Sequence, residues 1–141
     1  MEKEVTIRPY TVDDYSSVIS IYKEGELFDE VTDGEEALRS KSKQDPESLL
    51  VAEQDGFVIG TISIVEDGRM ALLFRLGVRE SARNQGVGKK LMIEAERILK
   101  ERGHKEANLV VNDQNIELHG FYERKGYKKH RLWRWMAKEL T

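Results

Sequence analysis

Arg83-Asn84-Gln85-Gly86-Val87-Gly88-Lys89 stands between a strand-like apolar run and a long amphipathic segment. Glycines let the main chain turn tightly and approach a ligand closely. The N–H groups of a helix's first turn have no intrahelical acceptor, so with the positive end of the macrodipole they face whatever occupies the turn. A phosphate or pyrophosphate is the natural guest. A plain strand-to-helix turn would use the same two glycines.

Two phosphate motifs fail residue by residue. A Walker A loop needs glycine where Arg83 stands, and Ser or Thr where Lys90 stands. A dinucleotide fingerprint starting at Gly86 needs a third glycine where Leu91 stands. What remains is Arg-x-x-Gly-x-Gly.

Working outward, Glu4 to Pro9 reads as a short strand. Thr11 with Asp14 reads as a capped helix start, followed by Val12, Tyr15, Ile19 and Tyr22 at helical spacing and a stop at Gly25. Gly34 to Lys43 reads as a second helix. Leu49 to Glu53 and Phe57 to Val65 are strands joined across Asp55-Gly56, a hairpin signal. Met70 to Val78 follows as a strand. Gly86 to Arg102 is a long helix with Val87, Leu91, Ala95, Ile98 and Leu99 on its apolar side, stopped by Gly103. Glu106 to Val111 reads as a strand, Asn115 to Lys125 as a short helix, and Tyr127 to Ala137 as a last strand. The order is β-α-α-β-β-β-α-β-α-β, an α/β chain in which the crossover around the long helix favours parallel pairing.

The chain has 141 residues, enough for one domain over 1–141 with a real core. It has 39% hydrophobic and 35% charged residues, a globular balance rather than a disordered one. The absence of cysteine removes disulfides, thiolate metal sites and a cysteine nucleophile. His104, His119 and His130 lack ligand spacing, so no metal is expected. A net charge of −3 gives no basic excess, so no nucleic-acid partner is expected. The apolar runs are too short to span a bilayer and no signal-peptide core is present, so the expectation is a cytoplasmic protein with no membrane partner. The late basic residues Arg124, Lys125, Lys128, Lys129, Arg131 and Arg134 read as the polar face of a strand whose Trp133 and Trp135 pack inward.

A second signature is Asn115-Ile-Glu-Leu118-His-Gly-Phe121-Tyr122-Glu-Arg-Lys-Gly126-Tyr127. Leu118, Phe121 and Tyr122 share one helical face, and Asn115 is suited to an N-cap. Together with Arg83-x-x-Gly86-x-Gly88 and the element order, it makes the chain resemble the GNAT family of acetyl-CoA-dependent N-acetyltransferases over nearly its whole length. The resemblance implies a single-domain GNAT-like fold, with a mixed, mostly antiparallel central sheet flanked by helices. It implies that Arg83, Asn84, Gln85, Gly86, Val87, Gly88 and Lys89 hold the pyrophosphate of coenzyme A. The backbone of Leu76 and Val78 would grip the pantetheine and the acetyl carbonyl at a bulge, with which Gly77 is compatible. Gly77 could equally accommodate packing under the long helix. Asn115 would contact the pantetheine arm besides capping, and Tyr122 would act as general acid.

Such chemistry explains the tyrosine. Coenzyme A leaves as a thiolate whose thiol has a pKa of about 8.5 by analogy with cysteine, and a phenol of pKa about 10 can give that sulfur a proton or a hydrogen bond. The attacking amine, with a pKa of about 10.4, must also lose a proton. Many relatives carry a carboxylate on the strand before the turn, but here Leu72-Leu73-Phe74-Arg75-Leu76-Gly77-Val78 has none. Glu26, Asp29, Glu30, Glu53 and Glu66 are the remaining candidates for a base, with nothing to choose among them. The acidic run Glu24 to Glu36 would suit a cationic amine acceptor, or be a solvated surface.

The expected activity is therefore transfer of an acetyl group from acetyl-CoA to a primary amine, on a small molecule or a protein N-terminus or lysine, by direct attack in a ternary complex. The missing strand carboxylate keeps a non-catalytic acyl-CoA-binding or sensing module open. A protein-interaction domain using the Trp133/Trp135 strand also stays open, and that strand would equally serve a homodimer.

Overall fold

A computed structural model describes residues 3–141 of the chain. Contacts divide the chain into two units, Met1–Leu109 and Val110–Thr141.

The first unit is built on four antiparallel strands in the order β1 (Thr6–Pro9), β2 (Leu49–Gln54), β3 (Phe57–Glu66) and β4 (Ala71–Val78). Asp55 and Gly56 between β2 and β3 are both left-handed, at φ 53° and 82°. That is the geometry that lets a tight hairpin follow the right-handed strand twist.

Alternation along the strands then fixes two faces. Leu49 and Val51 share a core with Val18, Ile21 and Tyr22 of α1 (Tyr15–Glu24) and with Leu38 of α2 (Glu35–Gln44). The residues between them point the other way. Gly60, paired with Ala52, lies under α3 (Val87–Glu101), where an added Cβ would sit 3.0 Å from both Leu91 and Val87. The sheet is thus packed between α1 and α2 on one face and α3 on the other. Helix α3 buries Val87, Leu91, Met92, Ala95, Ile98 and Leu99, the expected stripe with Met92 added. Each large apolar side chain so buried contributes about 1.5–3 kcal/mol.

The Thr11 start is present, with the Thr11 N–H donating to Asp14 Oδ2 at 2.8 Å. The first turn, Val12–Asp14, is a 3₁₀ turn rather than α. With three residues per turn it falls out of phase with the helix stripe, so Val12, expected on the apolar side, is half exposed. Asp14 is buried and holds Arg8 of β1 through bonds of 2.8 and 3.0 Å. At the other end of α1, Gly25 has an ordinary φ of −89°, and Glu26 takes the left-handed φ of 56°.

The expected parallel crossover exists in reduced form. After α3 the chain returns to β4, where Leu72 and Asn108 form a parallel bridge. The Leu73 N–H donates to the Asn108 carbonyl at 2.8 Å, and the Asn108 N–H to the Ala71 carbonyl at 2.9 Å. The strand expected over 106–111 is this bridge within the first unit.

In the second unit the described regular element is α4 (Ile116–Glu123). The strand expected over 127–137 has no ladder in this unit. A ladder needs a second strand, and the unit supplies none among its described residues. Trp133 and Trp135, expected to pack inward, are exposed at 80% and 77%.

Candidate active site

Beyond β4 a 3₁₀ turn, Glu80–Ala82, leads into Arg83, and α3 begins at Val87. Between them Asn84 and Gly86 are left-handed, at φ 64° and 79°, while Gln85 is not. Alternating handedness turns successive N–H groups toward one side and makes a concave anion-binding nest. The N–H groups from Asn84 to Lys89 have no hydrogen-bond partner among the described residues; the first of the helical series is Lys90 N–H to the Gly86 carbonyl at 3.1 Å. An added Cβ at Gly86 would meet nothing within 4 Å. Glycine there serves the backbone conformation and keeps the concavity open, not the packing of the protein itself.

The turn is pinned from behind. Arg83 Nε donates to the Val78 carbonyl at 3.1 Å, joining the turn to the end of β4. Glu24 at the end of α1 accepts the Glu80 N–H at 2.9 Å, and its other oxygen lies 3.5 Å from Arg79. Arg79 in turn donates to the Val58 carbonyl at 2.9 Å. Sequence reasoning missed Glu24 and Arg79 because these contacts join residues far apart in the chain, with no local pattern to mark them.

Leu76 lies where β4 is irregular, while Val78 is in register with Gly60. The β3–β4 register runs from Thr61↔Gly77 to Ser63↔Phe74, so β4 carries an extra residue at Arg75–Leu76. The left-handed residue there is Arg75, φ 54°, not Gly77. Gly77 is needed for packing: an added Cβ would lie 2.7 Å from Ile21 Cγ2. The close approach is to α1, not to the long helix α3.

Arg75 reaches across to the segment after α1. Its guanidinium lies 3.2 Å from Asp33 Oδ2 and donates to Thr32 Oγ1 at 3.3 Å. Asp33 is 4% exposed. It also accepts the Asp29 N–H at 2.8 Å.

Three of the five carboxylates considered as a base are engaged elsewhere. Asp29 accepts the N–H groups of Thr32 and Val31, which hold its pKa below the usual carboxylate range. Glu66 is held low by His104 at 2.7 Å and by the Gly68 N–H. Glu53 accepts Arg8 Nε at 2.7 Å. Held low in this way, Asp29 and Glu66 are weaker proton acceptors. Glu26 and Glu30 are exposed on the loop.

In the second unit Asn115 caps α4, its Oδ1 accepting the Leu118 N–H at 3.1 Å. Tyr122 is half-buried between Phe121 and Tyr127, with ring centroids at 5.1 and 6.0 Å in edge-on geometry. Burial raises its pKa above the ordinary phenol value. Its hydroxyl has no hydrogen-bond partner among the described residues. The phenol is therefore protonated at neutral pH and free to donate.

A model of the acetyltransferase (GNAT) family matches residues 13–127. The chain belongs to that family. An acetyltransferase of Yersinia pestis (strain Pestoides F) is 31% identical over 122 residues, 86% of each chain. An acetyltransferase of Sodalis glossinidius is 32% identical over 122 residues, again 86% of each. Among solved structures, Ard1 from Thermoplasma volcanium superposes with a TM-score of 0.80 at 25% identity, over 90% of this chain and 84% of that one. The PaiA N-acetyltransferase from Thermoplasma acidophilum, solved in complex with coenzyme A, gives 0.77 at 25% identity, over 89% and 90%. The fold is the GNAT-like α/β fold, a four-stranded antiparallel sheet flanked by helices. The protein is a GNAT acetyltransferase, and the family uses acyl-CoA. Among the described residues no helix is long and apolar enough to cross a membrane.

Proposed function

We propose that this acetyltransferase moves an acetyl group from acetyl-CoA to a primary amine by direct attack in a ternary complex. The observation that carries the proposal is the row of free N–H groups from Asn84 to Lys89, gathered by two left-handed residues at the start of α3. A diphosphate presents several acceptor oxygens and negative charge, which is what such a nest and helix terminus take. Arg83, Asn84, Gln85, Gly86, Val87, Gly88 and Lys89 hold that diphosphate in this reading. The backbone of Leu76 at the bulge and of Val78 just beyond it lines the pantetheine and the acetyl carbonyl, where a main-chain N–H would stabilise developing oxyanion charge. Asn115 adds a pantetheine contact to its capping bond.

In the transfer the amine nitrogen bonds to the acetyl carbon and the carbon–sulfur bond breaks. Tyr122, kept protonated by burial, supplies the proton that the departing thiolate takes. The amine's proton leaves to water or to a carboxylate of the loop, Glu26 or Glu30, since Asp29, Glu53 and Glu66 are already hydrogen-bonded elsewhere.

Calorimetric titration with acetyl-CoA, with desulfo-coenzyme A as a non-reactive comparison, tests the first step. An amine screen with thiol-release detection tests the second. Saturable micromolar binding with thiol release on an amine is expected, and no binding by the folded protein would sink the proposal. Arg75, where relatives carry a carboxylate, favours one other reading: a non-catalytic acyl-CoA sensor, which would bind acetyl-CoA and release no thiol with any amine.

A further inference from the structure

Resting on the transferase reading above, we propose that Arg75 is a positioning residue for the acceptor: by pairing with Asp33 it clamps the loop Glu26–Gly34 onto the bulge of β4, and the clamped loop forms a wall of the acceptor site. The loop touches β4 at two places. Near its start, Leu27 packs where Gly77 lacks a side chain, 3.8 Å from the ideal Cβ position. Near its end, Thr32 and Asp33 take the Arg75 guanidinium. These two approaches fall at Arg75 and Gly77, on either side of Leu76, along which the thioester lies in the transferase reading. The nest at Asn84–Lys89 is joined to the same strand end through Arg83 and the Val78 carbonyl. An amine attacking a thioester laid on this bulge must approach beside the loop.

Both ends of the clamp are unusual. Arg75 holds a left-handed backbone inside a strand, which a non-glycine residue adopts only when its surroundings fix it. Its side chain is 19% exposed, and its partner's side chain 5%. Breaking one member of so buried a pair leaves the other charge uncompensated. The other bonds to Asp33 run within the loop and to α1: the Asp29 N–H donates to its carboxylate, its own N–H donates to the Asp29 carbonyl at 2.9 Å, and Tyr15 Oη donates to its carbonyl at 3.3 Å. Without Arg75, the carboxylate of Asp33 loses its bond to the sheet.

The test uses the full chain and whichever of spermidine, a lysine-containing peptide or a free N-terminal peptide the wild type acetylates best. Arg75→Asn removes the charge and keeps a residue that tolerates the left-handed conformation; Arg75→Lys keeps the charge. We expect KM for the amine to rise about tenfold or more in Arg75→Asn, acetyl-CoA affinity to stay within about twofold, and amide exchange over 26–34 to quicken. Arg75→Lys should fall between, and Asp33→Asn should match Arg75→Asn with no added effect in the double variant. A purely structural role would lower the active fraction and stability while leaving the amine KM unchanged. That result, or an unchanged exchange rate over 26–34, overturns the proposal. A wild type that binds acetyl-CoA and acetylates none of the amines overturns the transferase reading and the acceptor role with it, and the exchange measurement then reports the clamp by itself.

Discussion

Two places in the first unit hold left-handed backbone beside β4, and they are built on opposite principles. At Asn84 and Gly86 the chain uses residue types that adopt φ above zero at little cost, and the space around Gly86 is empty of protein atoms. At Arg75 the chain uses a residue that resists this conformation, inside a strand, beside a segment held by a buried ion pair. The first is encoded locally and leaves the place of a Gly86 side chain open. The second is imposed by its neighbours and filled by them. A site of the first kind should lose binding when altered while the fold is kept. A site of the second kind should lose stability.

The largest effect expected is at the open turn. Gly86→Val places a β-branched residue at φ 79° and projects it into the concavity. Acetyl-CoA affinity should fall by roughly 100-fold or more, while the fold is kept at a backbone cost of about 1–2 kcal/mol. Calorimetry beside a thermal melt measures both. Retained affinity in the folded variant would remove the nest from the proposed site.

Tyr122→Phe is next and extends the contrast to the second unit. Its hydroxyl makes no bond among the described residues, so stability should change little. Where chemistry limits turnover, kcat should drop by about 10²-fold with acetyl-CoA affinity kept. An unaltered kcat would exclude Tyr122 as the acid.

Gly77→Ala probes the filled site. The new Cβ would lie 2.7 Å from Ile21 Cγ2, so α1 or β4 must shift. Overpacking of this kind costs about 1–3 kcal/mol. Denaturant titration should register the loss, whereas a neutral result would mean that α1 sits on the sheet more loosely than these distances imply.

The smallest effect is an acid dependence at the Arg8–Asp14 pair. Burial disfavours the Asp14 anion, but the bonds from Arg8 and the Thr11 N–H outweigh burial, so its pKa is lowered in the fold. A carboxylate with a depressed folded pKa contributes stability that is fully present above its unfolded pKa, about 3.9. That stability is lost as pH falls through the lower folded value. Unfolding free energy measured at pH 7 and near pH 3 should differ less in Asp14→Asn than in the wild type. Equal pH dependence in the two proteins would contradict the depressed pKa.

Most regular elements of the first unit were legible because period and punctuation agree there. Phe57 to Val65 alternates and follows Asp55-Gly56, and the strand runs to Glu66. The α3 stripe repeats every three or four residues between Gly86 and Gly103, and the helix spans Val87–Glu101. The turn at Arg83–Lys89 was legible for the same reason, since its glycines and the helix start carry the needed conformation themselves. The late strands were less so. An apolar, alternating segment such as 127–137 reads as a strand, but strand structure belongs to a pair, and periodicity does not name the partner. Which residue carries the bulge of β4 has a similar cause. Gly77 was the conformationally free residue, yet the helix above it required its missing side chain, and the left-handed turn moved to Arg75.

The sequence by itself determined the family, the strand and helix order of the first unit, and the glycine turn at the start of α3, because each rests on residues adjacent in the chain or spaced by one helical or strand period. The tertiary structure alone decided that Arg75 meets Asp33, that Glu24 and Arg79 brace the turn, and that Glu53 and Glu66 are already engaged by Arg8 and His104. Most of these contacts join residues tens of positions apart. Their formation depends on how helices pack on a sheet, which no local pattern records.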